Sequence, residues 1–160
     1  MRAILFTCVQ VLLVSAAALA QSPTTTVQDF GLVGRWAIEC NRPASPANEH
    51  ALYAITSTGL IWVMNDFGPE YDGMVYHVVR AERVSADKVA LRQVLASDET
   101  VVLDVVMVKD NERIRVWSSR TADGNTLVRD GLMPSAKDQV TRWASRCEER
   151  RAGAEGPVAQ

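Results

Sequence analysis

The sequence predicts an all-β domain: an eight-stranded antiparallel up-and-down meander that closes into a small barrel, with a short C-terminal helical segment after it. Three observations predict it. From Val33 onward the chain is a regular series of short β-like runs separated by turn signals. The links between runs are mostly tight, so successive runs pair as hairpins. A meander of this kind exposes two edges unless it closes, and eight strands is a common number for a small barrel that is filled by side chains or holds one ligand. The competing arrangement is a two-sheet sandwich; adjacent hairpins favour the barrel.

In chain order, residues 1–20 read as a secretory signal peptide. Arg2 gives a positive start, Ile4 to Val14 is mostly apolar, and Ala18-Leu19-Ala20 is a small-x-small cleavage site before Gln21. The apolar stretch is shorter than the roughly 18 to 20 residues that span a bilayer. Residues 21–32 begin with a polar run containing Ser22-Pro23 and three threonines, and are expected to form a flexible arm. The domain is placed at 33–150.

Its runs are Val33 to Cys40, His50 to Ser57, Leu60 to Asn65, Met74 to Val84, Lys88 to Ser97, Thr100 to Lys109, Glu112 to Thr121 and Thr126 to Asp130. Asn41 to Asn48, with two prolines, and Asp66 to Gly73 are loops. Thr58-Gly59, Ala86-Asp87, Asp98-Glu99, Asp110-Asn111 and Ala122 to Asn125 mark the tight turns. Ser135 then opens the expected helical segment: Val140, Trp143 and Cys147 stand at rough helical spacing behind a Ser-Ala-Lys-Asp capping pattern. Residues 151–160, rich in Ala, Gly and Pro, are expected to be disordered.

Composition narrows the function classes. One of the 17 basic residues, Arg2, would leave with the leader, giving 16 against 19 acidic ones. That balance offers no electrostatic case for nucleic acid or an anionic membrane surface. Cys8 lies in the leader, so Cys40 and Cys147 remain. An even count in an oxidising compartment points to a bridge closing a loop of about 107 residues. The expected location is periplasmic or secreted.

If the turns are two-residue loops, one sheet face holds Val75, His77, Val79, Ala81, Ala90, Arg92, Val94, Ala96, Val101, Leu103, Val105, Met107, Ile114, Val116 and Ser118. It is the more apolar face and is expected inside. The other face, with Tyr76, Val78, Arg80, Glu82, Leu91, Gln93, Asp104, Arg113, Arg115 and Trp117, would carry a solvated charge lattice. The inverse assignment would put Tyr76, Arg80, Asp104, Arg115 and Trp117 around a polar pocket for an anionic or aromatic ligand, and a slip of one residue exchanges the two faces. The candidate ligand-binding side chains are Tyr53, Trp62, His77, Arg92 and Ser118.

Gly34-x-Trp36 on the first strand, the meander, the late Arg142-Trp143 pair and a cysteine tying the tail to the barrel resemble the lipocalin-like, or calycin, group. That resemblance implies that Trp36 plugs the closed end and that a late arginine, Arg142 or Arg146, packs on it through a cation–π contact. Gly34, Trp36, Arg142 and Trp143 are thus the expected closure residues.

Catalytic readings find little support. His50 and His77 are the only imidazoles, and Ser118 or Ser119 near His77 lacks the strand-to-helix elbow of a hydrolase nucleophile. Asp66, Glu70 and Asp72 form an acidic loop, but not at EF-hand spacing, and no sugar cleft accompanies them for glycoside chemistry. No enzyme activity, metal or cofactor is expected. The expected function is an exported barrel that binds a small apolar or aromatic molecule, or an envelope accessory protein. The alternative is an interaction module, such as a barrel-type inhibitor of an exported enzyme.

Overall fold

The computed structural model describes residues 21–148. The expected leader and the expected tail at 151–160 lie outside them. The domain contains α1 (Pro23–Phe30), β1 (Gly34–Ala37), β2 (His50–Ile55), β3 (Ile61–Asp66), β4 (Met74–Arg83), β5 (Lys88–Leu95), β6 (Asp98–Asp110), β7 (Arg113–Thr121), β8 (Thr126–Val128), β9 (Leu132–Met133), β10 (Gln139–Val140) and β11 (Ala144–Cys147), with a 3₁₀ turn at Pro134–Ala136.

Every pair from β1 to β8 is antiparallel and sequential. The barrel closes through β11, which pairs with β1 on one side (Arg35 opposite Cys147) and with β7 on the other (Ala144 opposite Ile114). β1 to β7 and β11 are therefore the eight staves. The expected eighth strand, β8, pairs only with β7, beyond the stretch that β11 occupies. The seventh stave has two successive partners, and the wall beside β8 is completed by the 131–141 excursion, where the Gly131 amide donates to the Trp117 carbonyl (2.7 Å) and the Thr141 hydroxyl to that of Val116 (2.7 Å).

Two expectations about the ends are corrected. The C-terminal helical segment is instead the 3₁₀ turn, the small β9–β10 ladder and β11. Helical spacing rested there on three residues. Left-handed backbone at Lys137 (φ 55°) and Asp138 (φ 58°) interrupts any helix, and pairing β11 leaves neither β1 nor β7 with a bare edge in that stretch, a tertiary gain that local pattern does not carry. The flexible arm is instead partly α1. Ser22 caps it by accepting from the Thr25 amide, Pro23 opens it, and Gly31 (φ 78°) ends it. Its face of Val27, Phe30 and the following Leu32 is buried in the core.

α1 sits at one end of the barrel. Thr24 donates to the Gly59 carbonyl in the β2–β3 turn, Lys109 at the end of β6 to the Phe30 carbonyl, and the Arg83 guanidinium lies 4.9 Å from the Phe30 ring. Trp36, fully buried, donates its indole N–H to the Leu32 carbonyl at 2.7 Å. The Arg146 guanidinium lies 5.0 Å from the Trp36 ring and donates to the carbonyls of Gly31 and Val33. The late arginine on Trp36 is therefore Arg146. Gly34 has φ 131°, a conformation that side chains rarely adopt, and the space where its Cβ would stand faces that guanidinium. Cys40 and Cys147 are bridged, with Cα atoms 5.3 Å apart.

Face assignment holds on β6 and most of β7 and fails on β5. Leu103, Val105, Met107, Ile114 and Val116 point inward as expected. On β5 the inward residues are Val89, Leu91 and Gln93, not Ala90, Arg92 and Val94. The β4–β5 connection has four residues rather than two, so Arg83 rather than Val84 opposes Val89, and at the other end Gln93 rather than Val94 opposes Leu103. On β4 a bulge at Val79 lets both Tyr76 and Val78 and, beyond it, Ala81 face inward, with His77 and Val79 outside. On β7 a bulge at Trp117 turns Ser119 inward in place of Ser118.

Candidate functional site

The inside of the barrel is packed at one end and hollow at the other. At the base Trp36, Ile61 and Val89 are no more than 2 % exposed. Above them opens a cup of about 690 Å³, within the usual range of small-molecule sites of roughly 300 to 1,000 Å³. Its apolar wall includes Val63, Leu103, Val105, Met107 and Val116, and its rim includes Phe67, Met74, Leu127 and Met133. The strand-to-strand alternation puts these side chains inside; the loops at the open end supply the rim.

Polar groups enter this wall at five buried positions: Tyr53, Tyr76, Gln93, Ser119 and Thr141, each less than a tenth exposed. The Tyr76 hydroxyl contacts the Met74 sulfur at 3.3 Å. The side chains of Tyr53, Gln93 and Ser119 have no hydrogen-bond partner among the described residues, yet none of their polar atoms is sealed from solvent; the only such atom without a partner is Arg115 Nε. Their polar atoms therefore face the cup. Burial, reinforced by the charge of Glu49, pushes the phenols of Tyr53 and Tyr76 above the usual tyrosine range. Both are neutral donors at physiological pH.

Glu49 stands at the mouth, between the 39–48 loop and β2. Buried Asn48 holds that loop: its side chain accepts from the Glu39 amide (2.8 Å) and donates to the carbonyls of Glu39 (3.1 Å) and Pro43 (3.0 Å). Arg142 clasps the same loop by donating to the carbonyls of Ala47 and Pro46. Glu49 is thus fixed by its neighbours. Desolvation raises its carboxyl above the usual range, offset in part by Arg142.

Of the candidate ligand-binding residues, only Tyr53 lines the cup. Trp62 and His77 face outward and stack on each other, ring centroids 4.0 Å apart. Arg92 is outside, paired with Asp104 at 3.0 Å, and Ser118 lines the same outer groove of about 500 Å³ with Arg80, Glu82 and Arg120. Arg80, Glu82 and Asp104 of the expected charge lattice line that groove, joined by Arg92, whereas Arg115 lines the cup; the exposed pairs contribute little stability. Of the closure residues, Arg142 belongs to the mouth, and Trp143 lies outside against Arg113 (5.2 Å) and Arg115 (4.7 Å). The acidic loop residues Asp66, Glu70 and Asp72 form no metal-ligand cluster among the described residues.

Glu49, Gln93 and Ser119 are cup residues that sequence reasoning did not select, and Tyr76 was placed in a pocket only by the inverse face assignment. The alternation of Tyr76 with Val78 and of Leu91 with Gln93 carried the signal for two of them; the face choice hid it. Comparison with family models, with curated proteins and with solved structures finds no match to this chain.

Proposed function

We propose that this protein is an exported, non-enzymatic barrel of the lipocalin-like kind that takes a small, largely apolar molecule into its cup. The observation that carries this reading is the union of a hollow, mostly apolar interior with the polar groups of Tyr53, Gln93 and Ser119, which open to it and have no partner among the described residues. A few polar groups set in an apolar cavity are what orients a small ligand. The disulfide and the absence, among the described residues, of a helix able to cross a membrane fit an exported or soluble protein.

The uncharged fluorophore N-phenyl-1-naphthylamine tests it. Its emission is expected to rise and saturate on titration with the protein. Leu103→Trp, which fills the cup from a half-buried position on β6, is expected to weaken binding about tenfold or more, the loss of a well-filled apolar contact. No saturable signal, or binding indifferent to Leu103→Trp, sinks the reading.

A second reading has an observation of its own. Trp62, His77, Val94 and Val102 stand opposite one another across β3 to β6 on the outer face, with Val79 54 % exposed and Met64 36 % exposed on the same face. Such a strip suits a protein partner, as the inhibitor alternative requires. Fluorophore binding that survives Leu103→Trp and vanishes in Trp62→Ala would favour it.

A further inference from the structure

We infer that the molecule held in the cup is a cationic amine: an apolar or aromatic body carrying an ammonium group, which pairs with Glu49. This rests on the cup being the binding site and goes further by assigning the ligand its charge.

Glu49 lines the cup, and its carboxylate has neither an ion pair nor a hydrogen bond among the described residues. The nearest cation acting on it, Arg142, spends its guanidinium on the carbonyls of Ala47 and Pro46. Arg142 offsets the charge of Glu49 only in part and makes no direct pair with it, and an ammonium entering the mouth supplies that pair. The raised carboxyl of Glu49 expresses the same desolvation.

The aromatic side chains of the lining suit a cation. The side chains of Tyr53 and Tyr76 lie near enough to Glu49 to feel its charge. With Phe67 at the rim they give aromatic faces beside one carboxylate, the composition that recognises ammonium groups. The other basic side chain of the lining, Arg115, is engaged by Trp143 at 4.7 Å and Trp117 at 5.6 Å. A ligand carboxylate would enter against the charge of Glu49, with Arg115, whose Nε has no hydrogen-bond partner, as its one attraction in the lining. A neutral ligand would satisfy Tyr53, Gln93 and Ser119 and leave Glu49 as it is.

Three probes of matched size separate these cases: 2-phenylethylamine, 2-phenylethanol and 3-phenylpropionate, each competed at pH 7.5 against N-phenyl-1-naphthylamine. The amine is expected to compete about tenfold better than the alcohol, as one desolvated charge pair provides, and the carboxylate worse than either. In Glu49→Gln the amine-to-alcohol ratio is expected to collapse to about one, and in Glu49→Lys the preference is expected to pass to phenylpropionate. Asp104→Asn, on the outer face, is the control and keeps the parent ratio. An alcohol that competes as well as the amine, or a ratio unmoved in Glu49→Gln, overturns the charge assignment while leaving the cup as the site. If neither the fluorophore nor any of the three probes binds, the cup reading falls as well.

Discussion

Trp36→Ala is expected to cost about 3 to 5 kcal/mol of stability, the range for truncating a buried aromatic. Trp36 is fully buried at the base of the barrel. It touches three parts of the chain at once: its indole donates to the Leu32 carbonyl behind α1, its ring carries the Arg146 guanidinium of β11, and its strand pairs with both β2 and β11. Removing the ring loosens the contact between the terminal helix and the closing strand. Trp36→Phe keeps most of the volume and loses the hydrogen bond, worth about 1 kcal/mol with the carbonyl left unpaired costing somewhat more. It should fall between parent and Trp36→Ala. Urea unfolding of the three proteins measures this. A Trp36→Ala midpoint within error of the parent would show that Trp36 closes nothing.

The Cys40→Ser/Cys147→Ser double variant is expected to lose up to about 4 to 5 kcal/mol, the chain-entropy value for a loop of this length. The bridge spans 107 residues and joins the loop after β1 to the end of β11. The bridge's Cα atoms stand 5.3 Å apart, and β1 and β11 already pair beside it, Arg35 opposite Cys147. For a domain of this size the loss corresponds to a melting temperature lower by on the order of 10 to 20 °C. The variant should remain folded at low temperature, because the barrel closes through backbone pairing on both sides of β11. Scanning calorimetry of parent and variant decides it. A shift of a degree or two would mean that the bridge only decorates a closure made by the strands.

The sequence carried the strand series well because each run is bounded by Gly, Asn, Asp or Pro, and turn chemistry is local. His50–Ile55, Lys88–Leu95 and Arg113–Thr121 all fall within the runs read from those signals. Facing was legible only where no residue is added. The extra residues at the β4–β5 turn, at Val79 and at Trp117 each exchange inside for outside, and nothing in the local pattern marks them. That is why Arg92, His77 and Ser118 read as interior and Gln93, Tyr76 and Ser119 did not. One clue was available on β5: placing Arg92 inside would bury a charge that its Asp104 partner across the strand meets on the outer face. α1 was legible in its ends, Ser22-Pro23 and Gly31, and obscured by three β-branched threonines with low helix preference. Glu49 was not legible, because its role depends on a loop fixed from afar by Arg142 and by Asn48.

Methionine-methyl NMR shows whether the barrel interior above Trp36 is where a ligand binds. Met107 lies on the cup wall, Met74 and Met133 on its rim, and Met64 stands on the outer face of β3 near the Trp62–His77 stack. With methyl-¹³C-methionine protein titrated with 2-phenylethylamine or N-phenyl-1-naphthylamine, the Met107, Met74 and Met133 resonances should move together along one saturation curve while Met64 stays in place. Movement of Met64 with the three interior methyls unmoved would put the ligand on the outer strip and contradict the account.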